Sequence, residues 1–140
     1  MQFLKAVAIA VIYFQGVISA PASIEHLDAE CGALGVMKID KDTLPPGVNP
    51  DNVRKCLNHP ESLLREKGDK KIFERQCWKG GEYGCSHNGY CWRQCGPSGR
   101  WCWAAEEQGF GSWTRCSGWQ DCNVIMPCGQ GNCDDCGCGC

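Results

Sequence analysis

Histidine is scarce in this chain: three of 140 residues, at His26, His59 and His87. A catalytic nucleophile needs a base within hydrogen-bond reach, and no triad signature surrounds any of the three. An excess of positive charge is also missing, with 14 basic residues against 16 acidic ones. That disfavours nucleic acid, whose phosphates supply most non-specific affinity. It equally disfavours anionic lipid, where attraction is worth about 1 kcal/mol per basic residue. After residue 14 no apolar run approaches the roughly 20 residues a membrane span requires. Tryptophan is absent from residues 1–75.

What the chain does hold is cysteine. Fourteen are present, at Cys31, Cys56, Cys77, Cys85, Cys91, Cys95, Cys102, Cys116, Cys122, Cys128, Cys133, Cys136, Cys138 and Cys140. An even count at this density is the composition of a secreted disulfide scaffold, and all fourteen are expected in bridges. The N-terminus agrees. Lys5 precedes the apolar run Ala6 to Phe14, and small residues follow at Ser19-Ala20-Pro21-Ala22. This order predicts a signal peptide over residues 1–20, with cleavage between Ser19 and Ser23. The mature product is expected in the extracellular space, without a membrane anchor.

Two modules are predicted after the signal. Residues 21–75 carry two cysteines, nine basic and ten acidic residues. Residues 76–140 carry twelve cysteines, all six tryptophans and thirteen of the eighteen glycines. Each half can close its own bridges. In the first, Asn49-Pro50-Asp51 offers a cap and a proline start for a helix through Val53–Leu57. Pro60 starts a second helix over residues 61–67, stopped by Gly68. A Cys31–Cys56 bridge would be worth roughly 3 kcal/mol by loop entropy. Lys70-Lys71 and Arg75 lie in a polar join that reads either as a solvated linker or as a processing site, making 21–75 a possible propeptide.

In the second module Asn88-Gly89 is a strong hairpin signal. Pro97-Ser98-Gly99 is another turn, and Trp101-Cys102-Trp103 and Ser112–Cys116 read as strands. The fold class is therefore small and disulfide-rich, an antiparallel meander of three or four strands behind a short helical and loop module. Side chains alternate along a strand, so Trp101 and Trp103 should share a face opposite Cys102. Tyr90 and Trp92 should share one opposite Cys91. A module of this size needs its bridges, because its core alone cannot outweigh chain entropy. Composition leaves their connectivity open. The tail cysteines from Cys133 on are expected to reach back to the meander.

The stretch Cys85-Ser86-His87-Asn88-Gly89-Tyr90-Cys91-Trp92-Arg93-Gln94-Cys95, with Trp101-Cys102-Trp103, resembles small cysteine-rich secreted proteins of filamentous fungi. These include effector candidates and proteins induced in vegetative incompatibility. Cys31–Met37, Leu44–Val48 and Val53–Cys56 resemble biotrophy-associated effectors of the same class. The resemblance implies extracellular action and brings no catalytic residues. Cys85–Cys91 also resembles the Cys-Ser-x-x-Gly-Tyr-Cys stretch of hevein-type chitin-binding modules, which implies Ser86 and Tyr90 as sugar contacts. Here Gly84 replaces the preceding cysteine, and Trp92 replaces the glycine that follows.

Competing chemistry is weaker. Cys136-x-Cys138-x-Cys140 suits a soft metal cluster only as thiolates, and an exported chain is oxidised. No cofactor or metal is expected. Asp134-Asp135 reads as a solvated turn. Glu106-Glu107 are adjacent, so a strand would turn them to opposite faces, which does not suit paired-carboxylate glycoside chemistry. Cys91-x3-Cys95 matches a defensin helix, but the second module's four basic and six acidic residues oppose membrane lysis. The expectation is a secreted, monomeric, non-catalytic effector-like protein that binds a host protein or glycan. A defensin-like antimicrobial or incompatibility-linked toxin is the alternative. Ser86, Tyr90, Trp92, Trp101 and Trp103 are the candidate binding residues. The three tryptophans serve either as a sugar platform, through their apolar ring faces, or as core.

Overall fold

A computed structural model describes residues 24–65, 76–133 and 136–140 of the chain. The expected signal peptide, the join at 68–76 except for Gln76, and Asp134-Asp135 lie outside the described residues.

The hairpin forms where Asn88-Gly89 predicts it. Gly89 has φ +80°, and a Cβ there would stand 2.9 Å from the Cys116 carbonyl oxygen. The turn therefore needs glycine for both its backbone angle and its clearance. Ser86 and Tyr90 close it, the Ser86 N–H donating to the Tyr90 carbonyl at 2.8 Å. Strands β1 (Tyr83–Cys85), β2 (Cys91–Gln94) and β3 (Trp101–Trp103) form an antiparallel sheet in that order. The register sets Gly84 against Trp92 and Trp92 against Trp103. Short helices α1 (Ile24–Cys31) and α2 (Ser62–Arg65) belong to the first segment. The molecule is a small disulfide-rich β fold.

Alternation along the strands divides the sheet as expected. Trp101, Trp103, Ala105 and Trp113 pack on one face, joined by Tyr90 and Trp92. Cys91, Ala104 and Cys122 pack on the other, with Tyr83, Cys85, Cys116 and Met126.

Two expected elements are replaced. No helix runs through Val53–Leu57. Asn49 Oδ1 accepts from the Asp51 N–H at 3.0 Å and caps a single turn, Pro50–Asn52. The chain then extends at Val53. The next amides bond elsewhere: Arg54 N–H donates to the Phe110 carbonyl at 3.0 Å and Leu57 N–H to the Gly35 carbonyl at 2.8 Å. Tertiary partners have displaced the helical ones. Residues 112–116 likewise form no fourth strand. They touch the sheet through isolated bridges, Ala105 to Trp113 and Tyr90 to Arg115. The helix expected over 61–67 is seen as α2, and its expected Gly68 stop is outside the described residues.

All fourteen cysteines are bridged. Cys31 pairs with Cys56 inside the first segment. The later pairs are Cys77–Cys140, Cys85–Cys116, Cys91–Cys122, Cys95–Cys138, Cys102–Cys128 and Cys133–Cys136. Cys138 and Cys140 reach back as expected, whereas Cys133 and Cys136 close a loop within the tail. No bridge joins the two segments.

Packing does join them. His59, from the first segment, is fully buried and is among the largest fully enclosed side chains. Its ring stacks on Trp103 at 4.0 Å and meets the rings of Tyr90 and Trp113 edge-on. Arg54 lies 4.1 Å over the Trp113 ring and donates to the carbonyls of Gly109, at 2.8 Å, and Gln130. Glu107 and Gln108 both sit at positive φ, 49° and 54°. From this turn Glu107 accepts from the Asn52 side chain and the Asn49 N–H, and Gln108 donates to the Pro46 carbonyl. Left-handed backbone costs non-glycine residues free energy, and here both side chains are aimed at the first segment.

Candidate functional site

The indole side of the sheet does not close completely. Beside β2 and β3 a cleft of about 230 Å³ is lined by Trp78, Trp92, Trp101, Trp103, Ser86, Glu61 and Gln76. Four of the five candidate residues read from the sequence meet there. Tyr90 does not line it. Arg115 lies 4.2 Å over the Tyr90 ring, and His59 meets that ring edge-on at 4.5 Å. Its aromatic contacts are made within the protein.

The four tryptophans are graded in depth. Trp78 is 51 % exposed, Trp92 is half-buried, and Trp101 and Trp103 retain 8 % and 3 %. Consecutive rings stand nearly perpendicular. Trp78 and Trp92 meet at 79° with centroids 6.0 Å apart, Trp92 and Trp101 at 76° and 6.4 Å, and Trp101 and Trp103 at 85° and 5.0 Å. Edge-to-face contact of this kind suits the charge distribution of aromatic rings. The site is a corner of crossed indoles, with deep rings as floor and Trp78 as outer wall.

Local sequence explains each placement. Trp92 lies across β1 because its cross-strand neighbour is glycine: a Cβ on Gly84 would come within 2.8 Å of the indole. Trp78 is fixed by its backbone. Its N–H donates to the Gly99 carbonyl at 2.8 Å, and its carbonyl accepts from the Gln94 side chain at 2.9 Å. Trp101 Nε1 donates to the Gln76 carbonyl at 3.0 Å. Trp103 Nε1 is sealed from solvent and has no hydrogen-bond partner among the described residues, so an entering ligand does not meet it.

Glu61 supplies the polar edge, and it comes from the first segment. Its N–H donates to His59 Nδ1 at 3.1 Å, which ties it to the buried imidazole. Ser86 Oγ donates to Glu61 Oε1 and accepts from the Tyr90 N–H at 3.1 Å. Ser86 is thus committed to the turn and to Glu61. Glu61, Gln76 and Trp78 were not anticipated as site residues. Trp78 stands alone among glycines and charges, so no strand pattern marks it. Glu61 reaches the site only through docking of its segment.

A second, larger groove of about 750 Å³ follows the junction between segments, where Lys55 and Arg115 stand with Glu30 and Glu106. Its charges are mixed. Arg54 lies at its base, and burial lowers its pKa to about 10. The hydrogen bond from Asn52, then that from the Asn49 backbone, holds the Glu107 carboxyl below the usual carboxylate range, against a smaller opposing effect of desolvation.

Sulfur also clusters. Cys116 Sγ lies within 4.8 Å of the Cys91 and Cys122 sulfurs, and Cys95 Sγ stands likewise beside Cys102 and Cys128. These sulfurs are all in disulfides, so they offer no thiolate to a metal. Of the histidines, His26 and His87 are exposed and His59 is enclosed. Among the described residues no helix is long and apolar enough to cross a membrane. Compared with protein-family models, curated proteins and solved structures, the chain matches none.

Proposed function

We propose that the chain is a secreted, effector-like protein of the fungal cysteine-rich type. It acts outside the producing cell by binding a host protein or glycan, without catalysis. The observation that carries this reading is the tryptophan corner, an apolar concave surface left open in a fold otherwise closed by seven disulfides. Ligand sites are typically concave and largely apolar, with a few placed polar groups. Such bridges fit an oxidising compartment. The experiment compares oxidised wild-type protein with Trp78→Ala for binding to plant apoplastic proteins and to chitin. Trp78 is half exposed, so its loss should weaken binding and leave the fold intact. Equal binding by both proteins would remove the cleft from the function.

One observation favours the toxin alternative. Trp119 is exposed between Cys116 and Cys122, and Val124 and Ile125 are exposed between Cys122 and Cys128. Exposed apolar groups of this kind mark interaction surfaces. Dye release from lipid vesicles, lost on Ile125→Asp, is the outcome that would favour a membrane-active role.

A further inference from the structure

We propose that the tryptophan corner is a cage for a trimethylammonium cation. This rests on the cleft being the working surface and names the chemistry of what enters it. A sugar ring stacks on a flat, open indole face. The two rings a ligand can reach, Trp78 and Trp92, cross at 79°, and the buried Trp101 and Trp103 close the floor behind them, which encloses a compact group rather than supporting a flat one. Indole faces carry negative potential and attract cations more strongly than other aromatic faces do.

The charge of the lining has one sign. Glu61 is its charged residue, and no Lys or Arg lines the cleft. Ser86 holds Glu61 Oε1, and the second carboxylate oxygen has no hydrogen-bond or ion-pair partner among the described residues. The methyl groups also follow from the lining. A bare ammonium must replace lost water with several acceptors, and this wall is chiefly indole. A methylated one needs few acceptors and packs its methyls against the rings. The volume, about 230 Å³, is below the roughly 300–1,000 Å³ of sites for drug-sized ligands and suits a small headgroup.

Oxidised full-length protein is titrated with choline and with its neutral carbon isostere, 3,3-dimethylbutan-1-ol, by tryptophan fluorescence and calorimetry. Choline should saturate the site, and the isostere should bind about tenfold more weakly or worse. Glu61→Gln keeps an acceptor for Ser86 and removes the charge, so it should weaken choline about tenfold. Trp78→Ala should abolish binding, with circular dichroism and intact mass unchanged. A trimethyllysine peptide and phosphatidylcholine vesicles, tested separately, reveal which carrier presents the cation. Equal binding of choline and isostere, unaffected by Glu61→Gln, would overturn the proposal. So would the absence of a saturable response to choline, peptide and vesicles alike. If host protein or glycan still bound in a Trp78-dependent way, the broader function would stand without the cation. If nothing bound, both would fall.

Discussion

Replacing Arg54 with methionine should release the first segment from the sheet. Arg54 is 8 % exposed, and its guanidinium has no carboxylate partner among the described residues. Its charge is met by carbonyls: Nη1 donates to Gly109 at 2.8 Å, Nη2 to Gln130, and Nε more weakly to Leu57 at 3.4 Å. Each strong bond from a charged donor is worth about 1.5–3 kcal/mol net of its desolvation. Contact with the Trp113 ring adds about 1–2 kcal/mol when water is excluded. Methionine restores part of the packing, so the expected loss is about 4 kcal/mol, comparable to breaking a buried ion pair. Desolvation is already visible in the lowered pKa of about 10, yet the group stays charged at neutral pH. Guanidinium unfolding with intact disulfides measures the loss. Hydrogen exchange at the Arg54 amide locates it, because this N–H donates across the junction to the Phe110 carbonyl. Arg54→Lys should lose about half as much, since an ammonium cannot reproduce the fork. A loss below about 1 kcal/mol for Arg54→Met, or unchanged exchange at the residue 54 amide, would refute this account.

Acidification should loosen the same junction. The folded Glu107 carboxyl titrates below its unfolded value, so its contribution is present above about pH 4.5 and is lost as pH falls through the lower folded pKa. Glu107→Gln should flatten that part of the stability–pH curve, measured by thermal unfolding from pH 7 to pH 2. His59→Ala should cost about 2–4 kcal/mol and raise the quenching of Trp103 fluorescence by acrylamide. Gly84→Ala should force Trp92 aside, at about 1–3 kcal/mol, and change the shape of the cleft in any ligand titration. Peptide mapping without reductant should recover Cys31–Cys56 free of any later cysteine, and alkylation of the native protein should add no mass.

Local signals were legible wherever a short stretch sets its own geometry. Asn88-Gly89 fixed the hairpin, and alternation sorted Trp101 and Trp103 from Cys102. Long-range partners were not legible. Asn49-Pro50-Asp51 begins a helix correctly, but the Arg54 and Leu57 amides find carbonyls at Phe110 and Gly35, and local propensity loses to tertiary bonding. Tyr90 looked available for sugar because its motif precedent places it so. The structure surrounds its ring with Arg115 and His59, from positions 25 and 31 residues away. Of the four expected residues in the cleft, Trp92, Trp101 and Trp103 came from one pattern of aromatics and Ser86 from a motif resemblance, while Glu61 arrived on a segment whose own sequence shows only a proline-led turn.

That arrival bears on whether the tryptophans are core or working surface. Seven bridges restrict the unfolded chain, and none of them holds the first segment on the sheet. Docking depends on Arg54, His59, Glu107 and Gln108. Segments held by few contacts open more readily than the body they cover. With the segment docked, His59 covers Trp103, Glu61 borders the cleft, and Trp78 and Trp92 are the rings a ligand can reach. With it lifted, Trp103 and Trp113 lose their covers and the cleft loses its carboxylate. A ligand that needs Glu61 must therefore favour the docked state and slow exchange at the Arg54 amide, whose partner Phe110 lies across the junction. One that binds only indole faces gains nothing from docking and leaves that exchange unchanged.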